Sequence, residues 1–302
     1  MIVLQILAIL SGLYLIYRTF LSAVRTFVLP RAAPDFITRV VFSTSRRFFN
    51  LRLRFAKTYE RKDEIMANYA PLTLVMFPPV WLTIVTLGFM LIYWGVGIQP
   101  LGQAFLLSGS SVLTLGFATA DTFLLRILAF AEATLGLILV AILISYLPTM
   151  YAAFSRRETL VTLLDVRAGN PPSPLQLLIR THRIMGLHTL HDYWHNWETW
   201  FAEVEESHTS LPVLVFYRSP QPEYSWVVAA GTILDAAALH ASTLDVPRSP
   251  EAQLCIRAGY LCLRRIADFF NVEYDPHPAS DAPVSISRAE FDAAYDEMHA
   301  AG

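Results

Sequence analysis

Ser110-Ser111-Val112-Leu113-Thr114-Leu115-Gly116-Phe117-Ala118 is the stretch on which the reading of this chain turns. It overlaps an apolar segment, Gln103 to Leu113, that falls short of the about 20 residues a helical span needs. Both lie within 56 consecutive residues without a charge, Ile65 to Ala120, a run too long for one span. Upstream, Pro71 to Ile98 reads as one long helix, kinked at Pro78-Pro79 and ending in the interfacial pair Tyr93-Trp94. Gln99-Pro100-Leu101-Gly102 breaks that helix. Downstream, Ile127 to Phe154 is apolar except for Glu132, and Ser155-Arg156-Arg157 closes it with positive charge. Two spans with basic inner ends leave an outer connection, and this one is itself apolar and dips back. Irregular backbone at membrane depth is tolerated only where it lines a watery path or is buried in protein.

Working outward, residues 2–17 are uncharged, then Arg18 and Arg25 appear before Pro30. No small-x-small cleavage pattern follows, so a span with snorkelling arginines fits better than a signal peptide. From Arg31 to Glu64 there are nine basic and four acidic residues, which the positive-inside rule assigns to the cytoplasm. Arg46-Arg47 and Arg52-x-Arg54 alternate with Phe48, Phe49, Leu51, Leu53 and Phe55. Residues 39–62 therefore read as an amphipathic helix on anionic lipid rather than as a voltage sensor. Over the 302 residues, 54% are hydrophobic and 16% charged, and the mean hydropathy is +0.43. A soluble domain carries about a quarter charged residues. The net charge of −2 hides an uneven split: +6 over residues 1–154 and −8 over 155–302. The acidic second half is a poor partner for nucleic acid. Cys255 and Cys262, seven apart in a helical stretch, read as reduced core residues rather than a disulfide framework.

Between its two spans, the quoted stretch resembles the pore domain of the potassium-channel superfamily in its two-helix, pore-loop form. The resemblance covers about residues 70–155. Thr114-Leu115-Gly116-Phe117 falls on the first four positions of a T-V-G-Y-G filter, and Gly136 lies about where the family's hinge glycine falls. The tail, with its Trp/His-rich stretch and Arg218-Ser219-Pro220, is similar to that of bacterial proteins grouped with this family. The resemblance implies four chains around one pore and potassium as the permeant ion. Ala118 departs from the family's glycine, and Thr119 stands where an aspartate is usual. A filter strand needs left-handed backbone at alternate residues, which glycine adopts freely and alanine does not. Ala118 is thus expected to disturb the outer filter site and weaken selectivity.

Several polar residues carry two readings. Thr114 rings the inner mouth of the filter with hydroxyls, or bonds a pore-helix carbonyl. Glu132, ionisable inside a span, braces the filter or sits wet at the outer interface near Arg126. Gly136 is a gating hinge or a close-packing residue.

The tail lacks G-x-G-x-x-G and the strand alternation of a cyclic-nucleotide barrel. Its apolar spacing is helical over Glu158–Ala168, Pro174–Val204 with a break near Gly186, Tyr224–Ser242, Pro250–Phe270 and Arg288–His299. Leu211–Tyr217 is expected to be its one extended piece. Pro171-Pro172-Ser173-Pro174 and Pro276-His277-Pro278 read as linkers. At 100° per residue, His188, His191, His195 and Glu198 share an arc of about 80°, a spacing that suits a regulatory divalent metal. Tyr193, Trp194, Trp197, Trp200 and Phe201 take the opposite face, which is also what an ordinary solvated helix presents. A weaker reading makes His191-Asp192, with Asp235 or Asp245, part of a membrane-tethered hydrolase.

The expectation is therefore an all-α membrane protein with three spans, a re-entrant pore helix and filter loop, and a cytoplasmic helical domain. Its parts are residues 1–29 (span), 30–69 (basic linker), 70–155 (pore domain) and 156–302 (tail). The function expected is a homotetrameric cation channel of the plasma or bacterial inner membrane, with the amino terminus outside. It would conduct K+ past Thr114, Leu115, Gly116, Phe117 and Ala118, without enzymatic chemistry or a covalent cofactor. The alternative is a non-conducting membrane sensor or scaffold with a degenerate pore.

Overall fold

The computed structural model describes residues 1–29, 35–219, 221, 224–279, 282 and 286–302. The described elements are α-helices joined by loops and two short 3-10 turns, and three of the helical stretches are long and apolar enough to cross a membrane. The chain is a helical membrane protein. It divides into two compact units, Met1–Tyr151 and Ala152–Gly302.

In the first unit, α1 (Ile2–Phe27) and α5 (Phe77–Gly95) pack antiparallel along small residues. A Cβ on Gly12 would stand 2.4 Å from the Gly88 carbonyl oxygen, and one on Gly95 would stand 2.8 Å from that of Gln5. Only glycine lets two backbones approach so closely in a bilayer, where dispersion and close contact replace the hydrophobic effect between helices. Toward the other end of α5, Phe27 sets its ring edge-on to Phe77, Trp81 and Tyr146, at 5.4, 5.4 and 4.4 Å between centroids.

The linker forms α2 (Phe36–Leu53), α3 (Tyr59–Ala67) and α4 (Tyr69–Val75). Residues 39–62 are thus not one amphipathic helix, because α2 stops at Leu53. Asp35 caps α2, accepting from the Ile37 and Thr38 amides, and also accepts from Ser22 Oγ of α1 at 2.6 Å. Satisfying orphan amides in this way fixes where the helix starts. The long kinked helix expected from Pro71 to Ile98 is instead two. Pro78 and Pro79 fall in the first turn of α5, where a missing N–H costs nothing.

After α5 come α6 (Leu101–Val112) and α7 (Phe123–Ala168), a continuous 46-residue helix with Pro148 inside it. At 1.5 Å per residue α7 is about 69 Å long, twice what a bilayer core needs. The sequence suggested a stop near Phe154 and a fresh helix from Glu158. The backbone carries straight through, since nothing between those residues breaks a helix.

The second unit continues with α8 (Pro174–Ile184), α9 (Leu190–Ser210), α10 (Trp226–Thr243), α11 (Pro250–Phe270) and α12 (Arg288–Ala300). Serine side chains cap α8, α10, α11 and α12, with a full capping box at Ser287 and Glu290. The core gathers Trp194, Trp197, Trp200 and Phe201 from α9 against α10 and α11. Cys255 and Cys262 are free and buried there, and burial pushes both thiols up to about 12. The stretch expected to be extended, Leu211–Tyr217, holds a 3-10 turn at Pro212–Phe216. Pro220 of the Arg218-Ser219-Pro220 stretch, like Pro30 and Arg31, lies outside the described residues.

Candidate functional site

The end of α6 and the loop after it are built by local hydrogen bonds. Leu113, Thr114 and Leu115 amides donate to the Gly109, Ser111 and Ser110 carbonyls, closing the helix tightly. Thr114 then takes φ +54° and Gly116 φ +73°, two left-handed residues at alternate positions. For a β-branched threonine that conformation is strained, by about 1–2 kcal/mol, so the fold holds it there. A Cβ on Gly116 would touch nothing within 4 Å, and its need for glycine is therefore conformational rather than steric.

Ala118 is not in the left-handed region. The penalty expected there does not arise, because the alternation stops at Gly116. Instead the Ala118 amide donates to Ser110 Oγ at 3.0 Å, so α6 ties down the far end of the loop. Leu115 and Phe117 are 60% and 63% exposed in the single chain.

Glu132 on α7 is fully buried, not wet. Tyr93 Oη of α5 donates to its Oε2 at 2.9 Å, and Ser108 Oγ of α6 contacts its Oε1. Ser108 Oγ also reaches the Thr86 carbonyl of α5 at 2.9 Å. One carboxyl group thus joins α5, α6 and α7 directly behind the loop. Arg126, the neighbour expected for a wet Glu132, instead donates from Nε to the Ala120 carbonyl at 3.0 Å. Gly136 sits one turn further along α7, where a Cβ would stand 2.6 Å from the Val112 carbonyl oxygen. Its packing role against α6 is therefore the one the structure displays.

Sequence reasoning missed Tyr93 and Ser108 as partners of Glu132, and Ser110 as the tie to Ala118. The signal for the first pair was the isolated carboxyl itself, since a buried acid demands donors. No signal marked Ser110, because its contact is set by how the loop folds back.

The chain matches no protein-family model, no curated protein and no solved structure.

In the second unit the four proposed metal residues are not brought together. His188 lies in the 3-10 turn before α9, because Gly186 at φ +84° breaks the helix. His191 Nδ1 pairs with Glu251 of α11 at 3.1 Å, and His195 Nδ1 lies 3.6 Å from Glu198. Among the described residues no group of three or more His, Cys, Asp or Glu side chains forms a metal site.

Arg157, read from sequence as a charged flank, is a core residue at 2% exposure. Its guanidinium donates to Glu158 Oε1 at 2.8 Å and to the Leu214 and Tyr217 carbonyls at 3.0 and 2.8 Å. It also contacts His208 Nε2 at 3.1 Å. Burial, reinforced by that cation, pushes the His208 imidazole down to about 3. The signal of Arg157 was hidden because its partners other than Glu158 follow 51 to 60 residues later.

Proposed function

We propose that this chain is one subunit of a homotetrameric cation channel selective for potassium, embedded in a plasma or inner membrane. The observation that carries the reading is the alternation of left-handed residues, Thr114 and Gly116, directly after a short helix braced by two long apolar ones. Alternating handedness turns successive carbonyls toward one side of a strand. Four such strands around an axis would replace an ion's hydration shell with the carbonyl oxygens of Thr114, Leu115, Gly116 and Phe117. On this reading α6 is the pore helix, re-entering from outside, and α7 lines the conduction path. On the same reading the basic linker is cytoplasmic by the positive-inside rule, with the amino terminus outside and residues 156–302 in the cytoplasm. No bond is made or broken, so no catalytic residue is assigned. Ala118 is not left-handed, so the alternation ends at Gly116, and flux is what separates a channel from the alternative, a non-conducting sensor or scaffold with a degenerate pore.

The test is potassium flux into liposomes holding the purified chain. The parent is expected to conduct, and Gly116→Ala to abolish flux while expressing normally, because alanine at φ +73° costs about 1–2 kcal/mol in each of four chains. A parent that passes no ions, or a variant that conducts like it, would overturn the reading.

A further inference from the structure

Between α10 and α11 the second unit opens a cleft of about 530 Å³, within the range of small-molecule sites. Its walls are apolar: Leu234 and Ala238 from α10, and Ile256, Leu263 and Ala267 from α11. Two charges of opposite sign line the same space, Asp235 on one wall and Arg264 on the other. Among the described residues no ion pair within 4.0 Å joins them, and the exposed Asp235 carboxylate has no hydrogen-bond or salt-bridge partner.

Arg264 is held in place by two tyrosines. Its Nε donates to Tyr274 Oη at 2.9 Å and its Nη1 to Tyr260 Oη. The two phenol rings flank the guanidinium at 5.5 and 5.6 Å from their centroids. Tyr274 is fixed in turn by donating to Asp268 Oδ1 at 2.7 Å. Of the five guanidinium N–H groups, those on Nη2 find no protein acceptor among the described residues. A cation fixed by flanking rings, with its outer edge free, is suited to receive a planar anion.

We infer that this cleft binds a small apolar zwitterion, a carboxylate and an ammonium joined by a hydrocarbon body. The carboxylate would lie on the free edge of Arg264, the ammonium on Asp235, and the body against Leu234, Ile256 and Leu263. Charge complementarity selects this class. One positive and one negative side chain are neutralised together by a ligand with one charge of each sign. A phosphate dianion would leave excess negative charge beside Asp235, and a simple amine or fatty acid would answer only one of the two charges. The site stands apart from the pore reading, since binding is read without ion flux.

The experiment uses the full chain in lipid nanodiscs and isothermal titration with ω-amino carboxylates of graded length, from glycine to 8-aminooctanoate. Hexylamine and hexanoate serve as single-charge controls. One chain length is expected to bind best, about tenfold or more tighter than either control, as one extra charge-assisted contact would give. Asp235→Asn, which disturbs no protein contact, is expected to erase the preference over hexanoate. Arg264→Gln is expected to erase the preference over hexylamine. Failure of every amino carboxylate to bind more tightly than the controls, or parent-like binding by Asp235→Asn, would overturn the assignment.

Discussion

At the scale of single residues, the loop from Thr114 to Ala118 stores its strain at the first position and not at the last. Thr114 is the only non-glycine residue besides Asn271 with positive φ among those described. Ala118 is instead fixed by Ser110 Oγ. Replacing Ala118 by glycine therefore relieves no left-handed strain, and on the pore reading the potassium-to-sodium permeability ratio is expected to stay close to that of the parent. Ser110→Ala is expected to lower that ratio, because it frees the end of the loop that Ser110 holds. Reversal potentials in planar bilayers measure both, and a large rise for Ala118→Gly would show that its methyl group does constrain the loop. A short helix ending near Leu113 and a loop around Gly116 were legible in the sequence, because glycine placement and the shortness of the apolar segment are local signals. The Ser110 tie was not, since it depends on the loop turning back over eight residues.

At the scale of elements, three helices meet at Glu132. Removing the carboxyl takes from Tyr93 Oη its acceptor, at about 1–3 kcal/mol for an unsatisfied buried group, while Ser108 Oγ keeps the Thr86 carbonyl. Glu132→Leu is expected to lower the melting temperature of the full chain and to speed amide exchange in residues 113–118. Glu132→Gln, which can still accept from Tyr93 and donate to Ser108, is expected to retain most of both. Equal behaviour of the two variants would reduce Glu132 to a space-filler. A second prediction belongs to α9. His208 has its folded pKa lowered to about 3, so the unfolded chain binds a proton that the folded chain refuses. Stability contributed by this residue is full above about 6.5 and is lost as pH falls toward 3, at up to about 1.4 kcal/mol per pH unit. Tryptophan-fluorescence melts between pH 4 and 8 should show this slope in the parent and a shallower one in His208→Gln. The helix positions of α11 and α12 were readable from apolar periodicity. The neutral His208 was not, because Arg157 and the carbonyls around it come from distant parts of the chain.

At the scale of the whole molecule, one chain leaves more uncovered than a membrane alone would satisfy. Along α7, Phe130, Leu137, Ile144 and Tyr151 recur every seven residues at 71%, 61%, 63% and 70% exposure. Lipid chains cover such a stripe at no cost, so it does not by itself demand a partner. The loop after α6 is different, because its backbone runs outside helix and sheet from Leu113 to Thr122. Unpaired amides and carbonyls each cost several kcal/mol in hydrocarbon, so on the pore reading they face water or protein. Leu115 and Phe117, both exposed, flank Gly116 on that same loop. A ring of like chains provides both environments at once, with apolar side chains packed between subunits and carbonyls turned to a watery axis. Closed rotational symmetry is how a single-loop subunit builds such a ring, and four copies are the number that surrounds one ion. Native mass spectrometry of the detergent-released protein is therefore expected to show four copies of the 34.0 kDa chain. A stable monomer or dimer would leave the Gly116 loop without its water-lined axis, and the pore assignment would fall with it.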